Sequence, residues 1–230
     1  MAEMILSRAS ALFGTVVLGV VSLAGCTSSS AVKEEQVRRL RAQAMYEQGV
    51  KALADHQVSP ALTSLKEAVQ LDPNNANFHN VLGIIYLEIR QPVDAEAEFR
   101  KAVELDPGYG EAVHNLGLSF AEQGRYEDAI VQYREAISMP IYPTPEVGYY
   151  NMGRAYAQIG KPREAEEALK MAIRLEPKLG AAYYQLGVVL ASTGRRQEAK
   201  ENFQKARDLD PASPSGQAAS QALKILDEGG

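Results

Sequence analysis

Apolar positions recur at helical spacing through most of this chain, and they come in paired runs. In NVLGIIYLEIRQPVDAEAEFRKAVELDP, Leu82, Gly83 and Tyr86 fall on one face of a first helix, while Ala95, Phe99 and Ala102 share a face of a second. YQLGVVLASTGRRQEAKENFQKARDLDP, Tyr184 to Pro211, has the same layout. Small residues let the paired helices approach, and larger ones fill the space that remains. Gly124, Gly160 and Gly194 mark turns inside the pairs. Pro73, Pro107, Pro177 and Pro211 mark the ends of second helices, because proline cannot continue them. The pattern predicts an all-α chain of helix-turn-helix units.

The units keep a fixed distance. Gly49, Gly83, Gly117, Gly153 and Gly187 are separated by 34, 34, 36 and 34 residues, and Ala61, Ala95, Ala129, Ala165 and Ala199 keep the same intervals. A period of about 34 indicates tetratricopeptide repeats, and both quoted stretches closely resemble that pattern. The expected fold is a tetratricopeptide-repeat solenoid, a right-handed superhelix. Its array covers 33–214, with about five repeats at 42–75, 76–109, 110–143, 146–179 and 180–213. Lys33 to Asp55 reads as one long helix. Tyr86, Phe99, Phe120, Tyr156 and Phe203 fall on buried repeat positions and are assigned to the core. A solenoid needs a solubilising end, and 215–230 supplies a capping helix with Ala218, Ala222 and Leu226 as its stripe, backed by Ala219 and Leu223.

Ahead of the array, Ala11 to Gly25 carries no charge and follows Arg8. It is shorter than the roughly 20 apolar residues that span a bilayer and fits the apolar region of an export signal over 1–25. Leu23, Ala24, Gly25 and Cys26 resemble the lipobox of bacterial lipoproteins, in which cleavage precedes a cysteine whose sulfur then carries a diacylglycerol. This gives the chain's single cysteine a role that no disulfide can. Two acyl chains anchor stably where one does so only marginally. Residues 26–32 are small and polar and read as a flexible tether. In the lipoprotein resemblance Thr27, rather than an aspartate, implies transfer to the outer membrane.

The 36-residue interval falls at SMPIYPTPEVGYYNMG, Ser138 to Gly153. Three prolines there remove backbone donors and bias their predecessors toward extended shapes, so a rigid connection is expected. Taken alone, it is a two-residue insertion in a surface loop. YPTPE followed by YYNMG, in a chain with this lipobox and these repeats, resembles the type IV pilus biogenesis lipoproteins of the PilF, PilW and Tgl kind. The resemblance implies an outer-membrane pilotin that helps secretin subunits assemble. The alternative is a different lipidated scaffold serving outer-membrane protein assembly or cell-wall enzymes.

In stacked repeats of this family the first helices line a concave groove. Carried onto this sequence, one groove row is Val50, Ile84, Leu118, Arg154 and Val188, and beside it run Tyr46, Asn80, His114, Tyr150 and Tyr184. This largely aliphatic and aromatic surface suits an apolar or amphipathic peptide. Co-chaperone repeats grip a chain-end carboxylate with Lys and Asn at groove positions that here hold Tyr46, Val50, Asn80 and Ile84, so that clamp is not expected. Arg154 is the one cation in its row and suits an acidic group or solvent. His56, His79 and His114 show no paired metal-ligand spacing, and neither a nucleophile with its base nor a nucleotide-binding glycine loop is visible. No enzyme, metal or cofactor is expected beyond the covalent lipid. A net charge of −5 and a pI near 5.4 argue against nucleic acid as a partner.

Overall fold

The computed structural model describes residues 3–228, with side chains from residue 29 onward. Among the described residues it is all-helical, with 11 helices in two compact units, Met1–Pro73 and Asn74–Gly230.

The first unit pairs α1 (Glu3–Ala54) with α2 (Val58–Leu71). Gly49 makes room for the second helix, since a Cβ there would lie 2.6 Å from Leu65 Cγ. Among the residues of α1 whose side chains are described, the first that is buried is Ala42, where the repeat array is expected to begin. The helix itself is longer than expected. It runs through 26–32, the predicted tether, instead of starting at Lys33. No glycine or proline interrupts the chain between Gly25 and Gly49, and Ala31, Glu34 and Glu35 favour helix intrinsically. The predicted signal segment, 1–25, and the Cys26 side chain lie outside the residues whose side chains are described. Among the described residues no helix is long and apolar enough to cross a membrane.

The second unit stacks four helix pairs and a final helix: α3 (Ala76–Glu88), α4 (Pro92–Leu105), α5 (Gly110–Glu122), α6 (Tyr126–Ser138), α7 (Pro145–Gln158), α8 (Pro162–Leu175), α9 (Gly180–Ser192), α10 (Arg196–Leu209) and α11 (Pro214–Glu228). Prolines open α4, α7 and α8, where the missing N–H would have had no helical partner. In each pair a first-helix glycine receives a bulky second-helix side chain. A Cβ on Gly83, Gly117 or Gly187 would sit 2.6, 2.7 or 2.6 Å from the ring of Phe99, Tyr133 or Phe203, and one on Gly153 would sit 2.7 Å from Leu169. Phe99, Phe120 and Phe203 are buried as expected. Tyr86 and Tyr156 pack against the core from its rim, and the Tyr156 hydroxyl accepts from Arg134 at 2.8 Å.

The turns inside the pairs require a left-handed residue. Gly124, Gly160 and Gly194 supply it at φ of 75, 69 and 78°, but His56 and Arg90 fill the same position at 57 and 63°. Two junctions between neighbouring pairs carry ion pairs at matching positions. Glu96 on α4 meets Arg125 at 3.0 Å, and Glu166 on α8 meets Arg195 at 2.5 Å. A hydrogen bond from the Lys170 ammonium, joined by the Arg195 guanidinium and the charge of both, holds the Glu166 carboxyl below its usual range. The intervening junction has Ile130 and Lys161 at the corresponding positions and is built differently.

That junction is the proline connection between α6 and α7. It is folded inward through Tyr142, which is buried against Val113 and Ala136. Glycines clear its path. A Cβ on Gly110 would lie 3.3 Å from Tyr142 Cβ, and one on Gly148 would lie 3.1 Å from its ring. At the far end α11 packs on α10 and α9 as a cap. Its buried residues are Gly216, Ala219 and Leu223, with Ala218, Ala222 and Leu226 only partly covered. The leading stripe and its backing are thus exchanged relative to expectation. Helix α11 starts one residue early, at Pro214, and Gly216 fits tightly against the Asp210 carbonyl, which sets the rotation.

Candidate functional site

Helices α3, α5, α7 and α9 neighbour one another along the second unit as the first members of their pairs. Their expected row is open. Ile84 and Val188 are each 37% exposed, Arg154 is exposed, and Leu118 is half-buried. In the first unit Val50 is likewise exposed, and Tyr46 is half-buried. An aliphatic residue that stays open in the middle of a helix, at the same place in successive repeats, leaves apolar surface available to a partner.

The second row divides. Tyr150 and Tyr184 are partly buried, with the Arg154 guanidinium 5.6 Å from the Tyr150 ring and Tyr184 tilted 5.7 Å from Phe203. Asn80 and His114 are not groove side chains, because each is buried in a hydrogen-bond ladder that joins neighbouring repeats. Asn115 Nδ2 donates to Asn80 Oδ1 at 2.9 Å, and Asn80 Nδ2 donates to the Tyr109 hydroxyl at 3.0 Å. Thirty-six residues after Asn115, Asn151 plays the same part. Its Nδ2 donates to His114 Nε2 at 3.2 Å. The remaining imidazole proton then sits on Nδ1, which donates to the Tyr142 hydroxyl at 2.8 Å. The Tyr142 ring stacks on His114 with centroids 5.7 Å apart. Burial lowers the His114 pKa to about 4, so the ring is neutral near pH 7.

Beside this ladder a cleft of about 420 Å³ opens between α5, α6 and α7. Leu118, Glu122, Tyr133, Asn151, Arg154 and Gln158 line it. Tyr133 is 1% exposed, and burial pushes its phenol far above the usual range, partly opposed by the nearby Arg154 charge. Its hydroxyl opens to the cleft. The polar wall was not anticipated, although one signal pointed to it. Tyr133 holds a second-helix position that is Phe99, Leu169 or Phe203 in other repeats, where a hydrocarbon would suffice.

Metal chemistry has no assembled ligand set here, because no group of three His, Cys, Asp or Glu side chains among the described residues is placed to hold an ion. His79 Nδ1 lies 2.6 Å from Glu98 Oε2, and His56 stands in a turn.

Three tetratricopeptide-repeat models match the chain, at residues 52–119, 111–139 and 150–214. A crystal structure of MamA is 29% identical, with a TM-score of 0.63, covering 71% of this chain and 94% of that one. The crystal structure of PilW, described as a widely conserved type IV pilus biogenesis factor, is 21% identical with a TM-score of 0.72, covering 81% and 90%. PilF of Pseudomonas aeruginosa is 22% identical with a TM-score of 0.67, covering 84% and 95%. At those identities the last two likenesses speak for the fold alone. Among curated protein sequences none matches. The fold is therefore a tetratricopeptide-repeat solenoid, an architecture that serves as a scaffold for binding other proteins.

Proposed function

We propose that this tetratricopeptide-repeat protein is a lipoprotein, held at the periplasmic face of the outer membrane by acyl chains on Cys26, that binds type IV pilus secretin subunits and promotes their assembly. The observation that carries this reading is the YPTPE connection. The stretch that resembles the pilus lipoproteins is built into the fold, with Tyr142 locked onto His114 and through it onto Asn151 of YYNMG. A tolerated loop insertion has no need of such an anchor. The lipobox ending at Cys26 supports the membrane location, and the fold shared with PilW and PilF is consistent with the role.

In this reading the open row Ile84, Leu118 and Val188 takes an apolar stretch of the partner, and the solenoid keeps that stretch from aggregating before the ring closes. Desolvating an aliphatic row gives affinity with little demand on sequence, as an assembly factor requires. The test is a chromosomal deletion complemented with wild-type protein or Cys26→Ala. Secretin multimers should fall in the deletion and recover only with the wild type, while Cys26→Ala protein appears in the soluble periplasmic fraction. Unchanged multimers in the deletion strain would overturn the proposal.

A further inference from the structure

We infer that the cleft between α5, α6 and α7 seats the carboxylate of an aspartate or glutamate side chain carried by an extended partner segment that crosses α3, α5, α7 and α9. This deepens the groove reading and rests on it.

Two donors in the cleft lack a counterpart. Arg154 is exposed, its guanidinium lies over the Tyr150 ring, and no carboxylate pairs with it among the described residues. Arginine stays charged at every physiological pH and presents a fork of N–H groups that matches a carboxylate. Tyr133 is the second. Its side chain is almost completely buried, yet its hydroxyl reaches the cleft without a hydrogen-bond partner among the described residues. No buried side-chain oxygen is left unpaired among the described residues, so this hydroxyl opens to the cleft, where it can donate; a phenylalanine would have filled the core equally well. Gln158 adds an amide to the same wall.

The acid belongs at the α7 end. Glu122, on α5, lines the same cleft with Arg90 4.0 Å away; its charge reaches Tyr133 and repels an acid placed beside it, while it remains able to accept an N–H from the partner backbone. A side-chain carboxylate fits better than a chain end because apolar positions continue on both sides of Arg154. Leu118 and Ile84 lie one way and Val188 the other. Packed helices stand roughly 8–10 Å apart, and an extended chain advances about 3.3 Å per residue. The segment that fits has one acidic residue with apolar residues about three positions before and after it.

The probe is an acetylated and amidated serine-based peptide with single leucines three residues before and after one glutamate. Fluorescence anisotropy reads its binding to detergent-solubilised full-length protein. The glutamate peptide should bind about tenfold more tightly than its glutamine counterpart, the scale of a charge-assisted pair. Arg154→Gln should erase the difference, and Tyr133→Phe should narrow it severalfold. Because Arg154 is exposed, its variant should keep the wild-type melting temperature. Equal binding of the two peptides, a preference that survives Arg154→Gln, or no binding of either peptide overturns the proposal. So does a glutamine peptide with a free terminal carboxylate that binds as well as the glutamate one, since that would describe a chain-end clamp. Peptides bound equally, and lost together on Ile84→Asp, would remove the carboxylate seat and leave the groove. Unchanged secretin multimers would remove the assembly role and leave the peptide result standing.

Discussion

Lowering the pH from about 7.5 to 4.5 should loosen the centre of the second unit by a calculable amount. His114 has a pKa of about 4 in the folded chain, set by burial, against 6.5 for the unperturbed group. The folded state therefore binds fewer protons than the unfolded one between these values, so stability is greatest above pH 6.5 and falls as the pH drops toward 4. The loss is about 2.5 kcal/mol by pH 4.5 and about 3.5 kcal/mol once both states are protonated. Protonation also destroys an acceptor, because Nε2 would then face the Asn151 amide as a second donor. Tyr133 and Tyr142, the titratable groups stacked on the ring, stay neutral through this range, with burial raising both phenols. The assay is urea denaturation followed by far-UV circular dichroism at several pH values, for wild type and His114→Gln. His56, His79 and the carboxylates are common to both proteins and cancel in the difference. The glutamine variant should be less stable at neutral pH, and its stability should decline less on acidification, so that the curves converge. Parallel curves from pH 7.5 to 4.5 would refute the assignment of His114 as a buried neutral ring.

Three further outcomes follow from packing and backbone geometry. Phe99→Ala should cost about 3–5 kcal/mol in denaturant titrations, since the ring is fully buried against Gly83 and the cavity cannot collapse around a rigid helix pair. Arg90→Gly should stabilise by about 0.5–1 kcal/mol, because it relieves a left-handed residue whose own ion pair is long and exposed; an unchanged or lower midpoint would contradict this. Tyr142→Phe should cost about 1 kcal/mol and increase amide exchange in α7, because it removes the hydroxyl that holds the connection to His114.

The repeat glycines were legible because each makes a local demand. Gly83 must admit Phe99 sixteen residues later, and both belong to one unit whose pattern recurs. Asn80 and His114 were misread as groove side chains for the opposite reason. Their burial is decided by Asn115 and Asn151 in the following repeat, and a pattern read unit by unit carries no information about such pairings. The same limit hid the inward turn of Tyr142, whose partner stands 28 residues upstream. The extent of α1 was missed because polar composition suggests a tether, whereas helix continues wherever no breaker stops it. At the cleft, Arg154 stands out in its row, whereas Tyr133 is not singled out by the repeat pattern.

The alternation of junction types gives the second unit an uneven response to ionic strength. Glu96–Arg125 and Glu166–Arg195 are ionic contacts near the surface, and raising the salt from 0.1 M to 1 M shortens the screening length from about 10 Å to about 3 Å. The junction between them is fastened by buried, uncharged tyrosine, histidine and asparagine side chains, whose hydrogen bonds are not ion pairs for salt to screen. In brine the array should part first at those two ionic junctions, leaving α5, α6, α7 and α8 as the last block to hold.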